Sequence, residues 1–170
     1  WSNELEYWTS EIYRTNGSVI YARKFNVYNG QPGCYGACAI AEKGFAIRPV
    51  IAAEGTFDAN NHDYVDLDIK MQDGKKLYLA TMNVGETSPA GYCSHIYCWG
   101  ATTEGCFPWV PDGYYDDKWL DAAHDVATQT WGEKWHVPSP DEWRLLVEKC
   151  DYERKEEWES GYGVAGYFFY

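Results

Sequence analysis

A chain of 170 residues with 26 acidic against 14 basic side chains carries a net charge of −12, the wrong sign for gripping a dense polyanion such as DNA or RNA or for a polybasic membrane anchor. No apolar run approaches the ~20 residues of a membrane span, and the length suits one domain with a full core. Aromatic residues make up 18% of the chain, with 9 Trp and 15 Tyr; a core of this size does not conceal them all, and exposed rings of this kind favour recognition surfaces.

In chain order, residues 1–50 are β-rich. Ser18–Phe25 predicts a strand, Asn26–Cys38 (NVYNGQPGCYGAC) a loop dense in Gly, Asn and Pro, and Gly44–Val50 (GFAIRPV) a second strand ended by Pro49. Residues 51–63, small and polar, predict a linker. Tyr64–Lys70 alternates, with Val65, Leu67 and Ile69 on one face and Asp66 and Asp68 on the other. The Asp73-Gly74 turn signal then returns the chain through Lys76–Val84, the clearest hairpin in the sequence.

Gly85–Gly113 shows no lasting period and predicts a long ordered loop. Leu120, Ala123, Ala127 and Trp131 fall at helical spacing, so Asp116–Trp131 is predicted to contain a helix ended by Gly132. Lys134–Val137 predicts a strand. A sharply capped helix comes next: Ser139 at the N-cap, Pro140 at the first helical position and Glu142 closing an S-x-x-E box, with Trp143, Leu146, Val147 and Cys150 as its apolar stripe. Asp151–Glu159 predicts a solvated helix extension or loop, and Tyr162–Tyr170 a strand. Trp1 is not a natural start, so the expectation is a mature product or an excised fragment.

The six cysteines lack the C-x-x-C pairs of a zinc site. The spacing predicts disulfides, with Cys93, Cys98 and Cys106 stapling the long loop, a bridge between Cys34 and Cys38 closing the Gly-rich loop, and Cys150 a buried free thiol. Gln31-Pro32-Gly33 lacks the carboxylate that a calcium-binding lectin loop needs, and Asp112, Asp116 and Asp117 predict a solvated acidic loop. His62, His95, His124 and His136 are scattered. No metal, cofactor or catalytic motif is expected, and the 26 acidic residues include no flanked carboxylate pair of the glycosidase kind.

The runs YVDLDI (64–69), LYLATMNVG (77–85), YCWGATTE (97–104) and DAAHDVATQTWGEKWHVPSPDEWRLLVEKC (121–150) resemble, block by block, a family of Bacteroidetes surface domains related to the Fibrobacter succinogenes major paralogous domain. YWTSE (7–11) and GFAIRPV (44–50) resemble two further blocks of the same family. The resemblance implies an α+β, C-type-lectin-like fold: two helices packed on small antiparallel sheets with long loops. The blocks stand out of order, however. Residues 1–50 match the C-terminal half of such a domain and 64–170 the N-terminal half, joined by the linker 51–63. That order fits a piece spanning two tandem domains, or a single domain that is permuted or closed by strand exchange; closure as one domain is the favoured expectation.

The resemblance also implies a function. Formylglycine-generating enzymes share this fold and use a cysteine pair, for which Cys34 and Cys38 are the candidates, but no neighbouring His or metal cluster supports catalysis. Lectin-like relatives bind ligands on the long loops of the C-terminal half, which implicates Tyr28, Asn29, Gln31, Tyr35, Trp99 and Trp109. The expectation is a non-catalytic extracellular or cell-surface module for carbohydrate or protein. A structural subunit of a surface filament, pilus tip or phage particle, self-associating by strand exchange, is the alternative, and a formylglycine-generating-type oxidoreductase a further one. The capped helix at 139–150 is expected to be scaffold, with Trp131, Trp135 and Trp143 in the core.

Overall fold

A computed structural model describes residues 6–16, 19–28, 30–39, 43–87, 95–105, 119–155 and 166–170. Over them the protein is mixed α+β, with antiparallel sheets and two helices. A three-stranded sheet comes first in the chain, in the order β1 (Glu6–Asn16), β2 (Val19–Tyr28), β3 (Gln31–Ala39).

Residues 26–38, expected to be a loop, are instead the end of β2 and most of β3. The pair Tyr28–Gln31 closes the hairpin, with Gly30 at φ +77°, the positive φ that a tight hairpin turn requires. The glycines and proline that suggest a loop are tolerated because β3 is an edge strand, where a missing N–H leaves no ladder bond unmade.

The second sheet runs β5 (Tyr64–Lys70), β6 (Lys76–Ala80), β4 (Val50–Ala53), β7 (Trp135–His136). The expected strand 44–50 is displaced. Phe45 and Ala46 make only single bridges, to Tyr97 and Tyr7, and the continuous strand starts after Pro49. β4 pairs on both sides, so proline can precede it but not lie within it. Ile51–Ala53, expected to open a linker, are therefore central sheet residues. The β5–β6 hairpin forms, its return strand ending at Ala80 rather than Val84, with Gly74 at φ +90° in the turn. Its alternation is broken by a bulge between Asp66 and Ile69, with Asp68 at φ +54°, so Ile69 is buried while Val65 is exposed.

The first fifty residues pack directly on the remainder of the chain. Ser10 N–H donates to the Pro138 carbonyl and Leu120 N–H to the Ser10 carbonyl, both at 2.9 Å, and Phe45 and Tyr97 exchange two bonds of 3.0 Å. Both hydrophobic clusters draw on both sides of the chain. Trp8, Ile12 and Ile20 pack with Trp131, Trp135 and Val137, while Tyr7 and Phe25 pack with Trp143 and Leu146.

Helix α1 covers only Val126–Trp131. Of the stretch 116–131 expected to contain it, residues 116–118 lie outside the described residues, and 121–124 are turn and irregular chain. Asp125 sets the start. Its backbone is extended, and its carboxylate accepts from Thr128 N–H at 2.9 Å and Val137 N–H at 2.8 Å, capping the helix and tying it to the chain beyond β7. Gly132 ends α1 at φ +106°. A Cβ there would clash with Asn60 Nδ2, whose amide donates to the Trp131 carbonyl at 2.7 Å. Gly132→Ala is expected to cost about 1–2 kcal/mol through positive φ and this clash. Urea unfolding should show a smaller cost in an Asn60→Ala background, where the clash is gone.

Helix α2 (Pro140–Lys149) has the expected capping box: Glu142 N–H donates to Ser139 Oγ at 3.2 Å, and Ser139 N–H to Glu142 Oε2 at 2.7 Å. Trp131, Trp135 and Trp143 are all buried. The charged extension expected at 151–159 is not helical where described. Cys150 leaves the helix with an extended backbone, and β8 (Tyr152–Lys155) pairs with β9 (Gly166–Phe169). No helix among the described residues is long and apolar enough to cross a membrane.

A candidate ligand-binding face

The most unusual surface lies on β1 and β2. Ile12 is registered with Ala22 and Arg14 with Tyr21, so Tyr13 is an extra residue in β1, a bulge. Regular strands send successive side chains to opposite faces, whereas here both Tyr13 and Arg14 are exposed, Tyr13 at 51%. The Arg14 guanidinium lies 4.8 Å from the Tyr21 ring centre and 5.9 Å from that of Tyr13, and the Arg23 guanidinium lies 4.8 Å from Tyr13. Arg23, Tyr13, Arg14 and Tyr21 thus form one alternating ladder of cations and rings, each contact a cation–π attraction.

The two arginines differ. Arg23 Nε donates to Glu11 Oε2 at 2.7 Å, and Glu11 is buried, so that end of the ladder is anchored. Arg14 has no ion-pair partner among the described residues. Its guanidinium is held against rings while its in-plane N–H donors stay available. At the β2–β3 turn, Tyr28 (58% exposed) and exposed Gln31 face each other in register, adding a second polar and aromatic pair to the same sheet.

Of the six residues implicated by the resemblance, Tyr28 and Gln31 are brought together. Tyr35 lies on β3 rather than in a loop, and Asn29 and Trp109 fall outside the described residues. Trp99 is corrected. It is 2% exposed and its indole N–H donates to the Thr9 carbonyl at 2.7 Å, which makes it a strut between the two parts of the core. The ladder was missed, although its signal is in the sequence: a Tyr-Arg pair (13–14) and a Tyr-x-Arg (21–23) flank an Asn16-Gly17 turn signal. What no pattern reveals is the bulge that turns consecutive residues to one face.

Other chemistry is weaker. Cys34 is a free thiol, which overturns the expected bridge to Cys38; four positions along a strand separate Cα atoms by about 13 Å, twice the reach of a disulfide. Burial pushes the Cys34 thiol up to about 11, leaving almost no thiolate at neutral pH for cysteine chemistry. Cys150 is free and buried, as expected. Cys98 is disulfide-bonded. Asp112, Asp116 and Asp117 also lie outside them, and no group of three or more His, Cys, Asp or Glu among the described residues is placed to hold a metal ion.

The histidines all have partners. His62 stacks on Trp131 at 3.9 Å, His95 meets Glu104 at 2.9 Å, His124 meets Asp121 at 2.7 Å, and His136 Nε2 meets Glu142 Oε1 at 2.9 Å. The last pair joins the capping box, so Glu142 lies between Ser139 and His136, with its oxygens serving structure. A cleft of about 630 Å³ lies between the β5–β6 turn and α2, and several of its charges are paired nearby, Asp73 with Lys75, Asp141 with Arg144 and Glu142 with His136.

Compared with protein-family models, curated proteins and solved structures, the chain matches none.

Proposed function

We propose that this chain is a non-catalytic recognition module, built on a C-type-lectin-like scaffold of the kind its sequence blocks resemble. Its ligand, a carbohydrate or a protein, docks on the exposed ladder of β1 and β2. The observation that carries the reading is the surface Tyr13–Arg14–Tyr21–Arg23 ladder, raised by a bulge on a sheet anchored in the core. Rigid rings beside preorganised guanidinium groups give contact area and directed donors at small entropic cost. The disulfide at Cys98 is in keeping with an oxidising, extracellular or cell-surface setting.

The test is a glycan array with a protein-ligand screen, run on the wild type and on Tyr13→Ala with Tyr21→Ala. Surface residues of this kind contribute little to stability, so the melting temperature should hold, while affinity for any ligand found should fall about 30-fold or more. Ligand binding untouched by the double variant would remove the face from consideration. A self-associating filament or tip subunit stands second. Exposed Tyr64 and Val65 open the edge strand β5, but the bulge and acidic side chains beyond them oppose continuous strand addition.

A further inference from the structure

We infer that the face on β1 and β2 selects an acidic saccharide, a uronic-acid-containing oligosaccharide, with Arg14 as the group that reads the carboxylate. The inference rests on the recognition reading above and narrows its ligand. Three observations lead to it. Arg14 is a cation without an ion-pair partner among the described residues, in a chain of net charge −12, where a carboxylate partner was abundantly available. Its guanidinium is held against Tyr21 and Tyr13, which orients the planar fork and leaves its edge to a carboxylate bound through two parallel N–H donors. Tyr13, half exposed beside it, adds a ring edge and a hydroxyl that a pyranose can contact, so charge and ring are read together.

Charge complementarity sets the density of the ligand. A net −12 repels a long, closely charged polyanion, which disfavours nucleic acid and heavily sulfated glycans. A uronate chain carries a single carboxylate per sugar ring and meets a single arginine that is not already paired. The second arginine, bonded to Glu11, acts as a support for the Tyr13 ring and not as a second reader.

The experiment titrates the protein, by calorimetry and by NMR line shifts, with four probes: an oligogalacturonate, its methyl ester, a neutral cello-oligosaccharide and an Asp/Glu-rich peptide. The oligogalacturonate should bind. Methyl esterification and Arg14→Gln should each weaken it about tenfold or more, the loss of one charge-assisted bidentate contact, and each should flatten the dependence on salt. Arg14→Lys should not restore it, because an ammonium neither stacks nor forks. Equal binding of acid and ester, indifferent to Arg14→Gln, would overturn the uronate assignment and leave a neutral-sugar module. Binding of the acidic peptide alone would overturn it in favour of a protein partner. Binding of none of the four, with the variants folded by circular dichroism, would remove saccharide recognition at this face altogether.

Discussion

Trp143→Ala should lower the unfolding free energy by about 3–5 kcal/mol, the usual cost of emptying a buried tryptophan site. Trp143 is 2% exposed and lies between two rings from the opposite end of the chain: Phe25 at 4.1 Å with planes 10° apart, and Tyr7 at 5.5 Å and 22°. Removing it leaves a cavity where α2 meets β1 and β2, so the loss falls on the contact that joins the two parts of the chain. Its indole N–H is buried without a partner among the described residues. Trp143→Phe should therefore cost much less than the alanine change, since the stack persists and the unpaired donor disappears. Urea denaturation of the three proteins measures both effects. Ligand affinity at a temperature where all remain folded should be unchanged, because the ladder on β1 does not touch this site. Weaker binding with unaltered stability would make α2 part of the ligand site.

That helix was the most legible part of the sequence, for a local reason. A capping box, a proline at the first helical position and an apolar stripe are all written within twelve residues, and each acts on its nearest neighbours. The β5–β6 hairpin was legible in the same way, through alternation and the Asp73-Gly74 turn. Errors appeared where non-local pairing decides. β3 contains Gly33, Gly36 and Pro32, and only its place at the edge of a sheet makes it a strand. β4 begins one residue after a proline because it is clasped between β6 and β7. Helix α1 is half as long as its periodicity suggested because Asp125 accepts from Val137 N–H, across the chain, as well as from its own helix. The candidate face was illegible for a related reason: the bulge at Tyr13 exists only against the register of β2, and without it Tyr13 and Arg14 would point to opposite sides.

The capping box also carries the protein's clearest pH dependence, and Glu142→Gln exposes it. Burial alone would lower the pKa of His136, but the hydrogen bond and charge of Glu142, with the charge of Asp125, outweigh it and the net shift is upward. Burial would raise Glu142, yet the bonds from His136 and Ser139 outweigh it and the net shift is downward. The raised His136 contributes stability fully below its ordinary pKa of 6.5 and loses that contribution as pH climbs through the raised value. The depressed Glu142 contributes fully above its ordinary 4.5 and loses its contribution as pH falls through the lowered value. The pair is at its strongest between those two ordinary values. Asp125 works the other way: burial raises it, so its charge opposes folding and acidification relieves that cost. Glu142→Gln keeps the shape of the cap but removes the charge facing His136. With the His136 side chain 33% exposed, solvent screens part of the loss, and the expected cost near pH 5.5 is about 2–3 kcal/mol, below that of breaking a fully buried pair. The penalty should shrink as pH rises toward 8.5, because the wild type progressively gives up the imidazolium as pH climbs through the raised value. Urea unfolding of both proteins at the two pH values decides the matter. A penalty equal or larger at pH 8.5 would mean that Glu142 acts through its backbone cap alone and that His136 is a bystander.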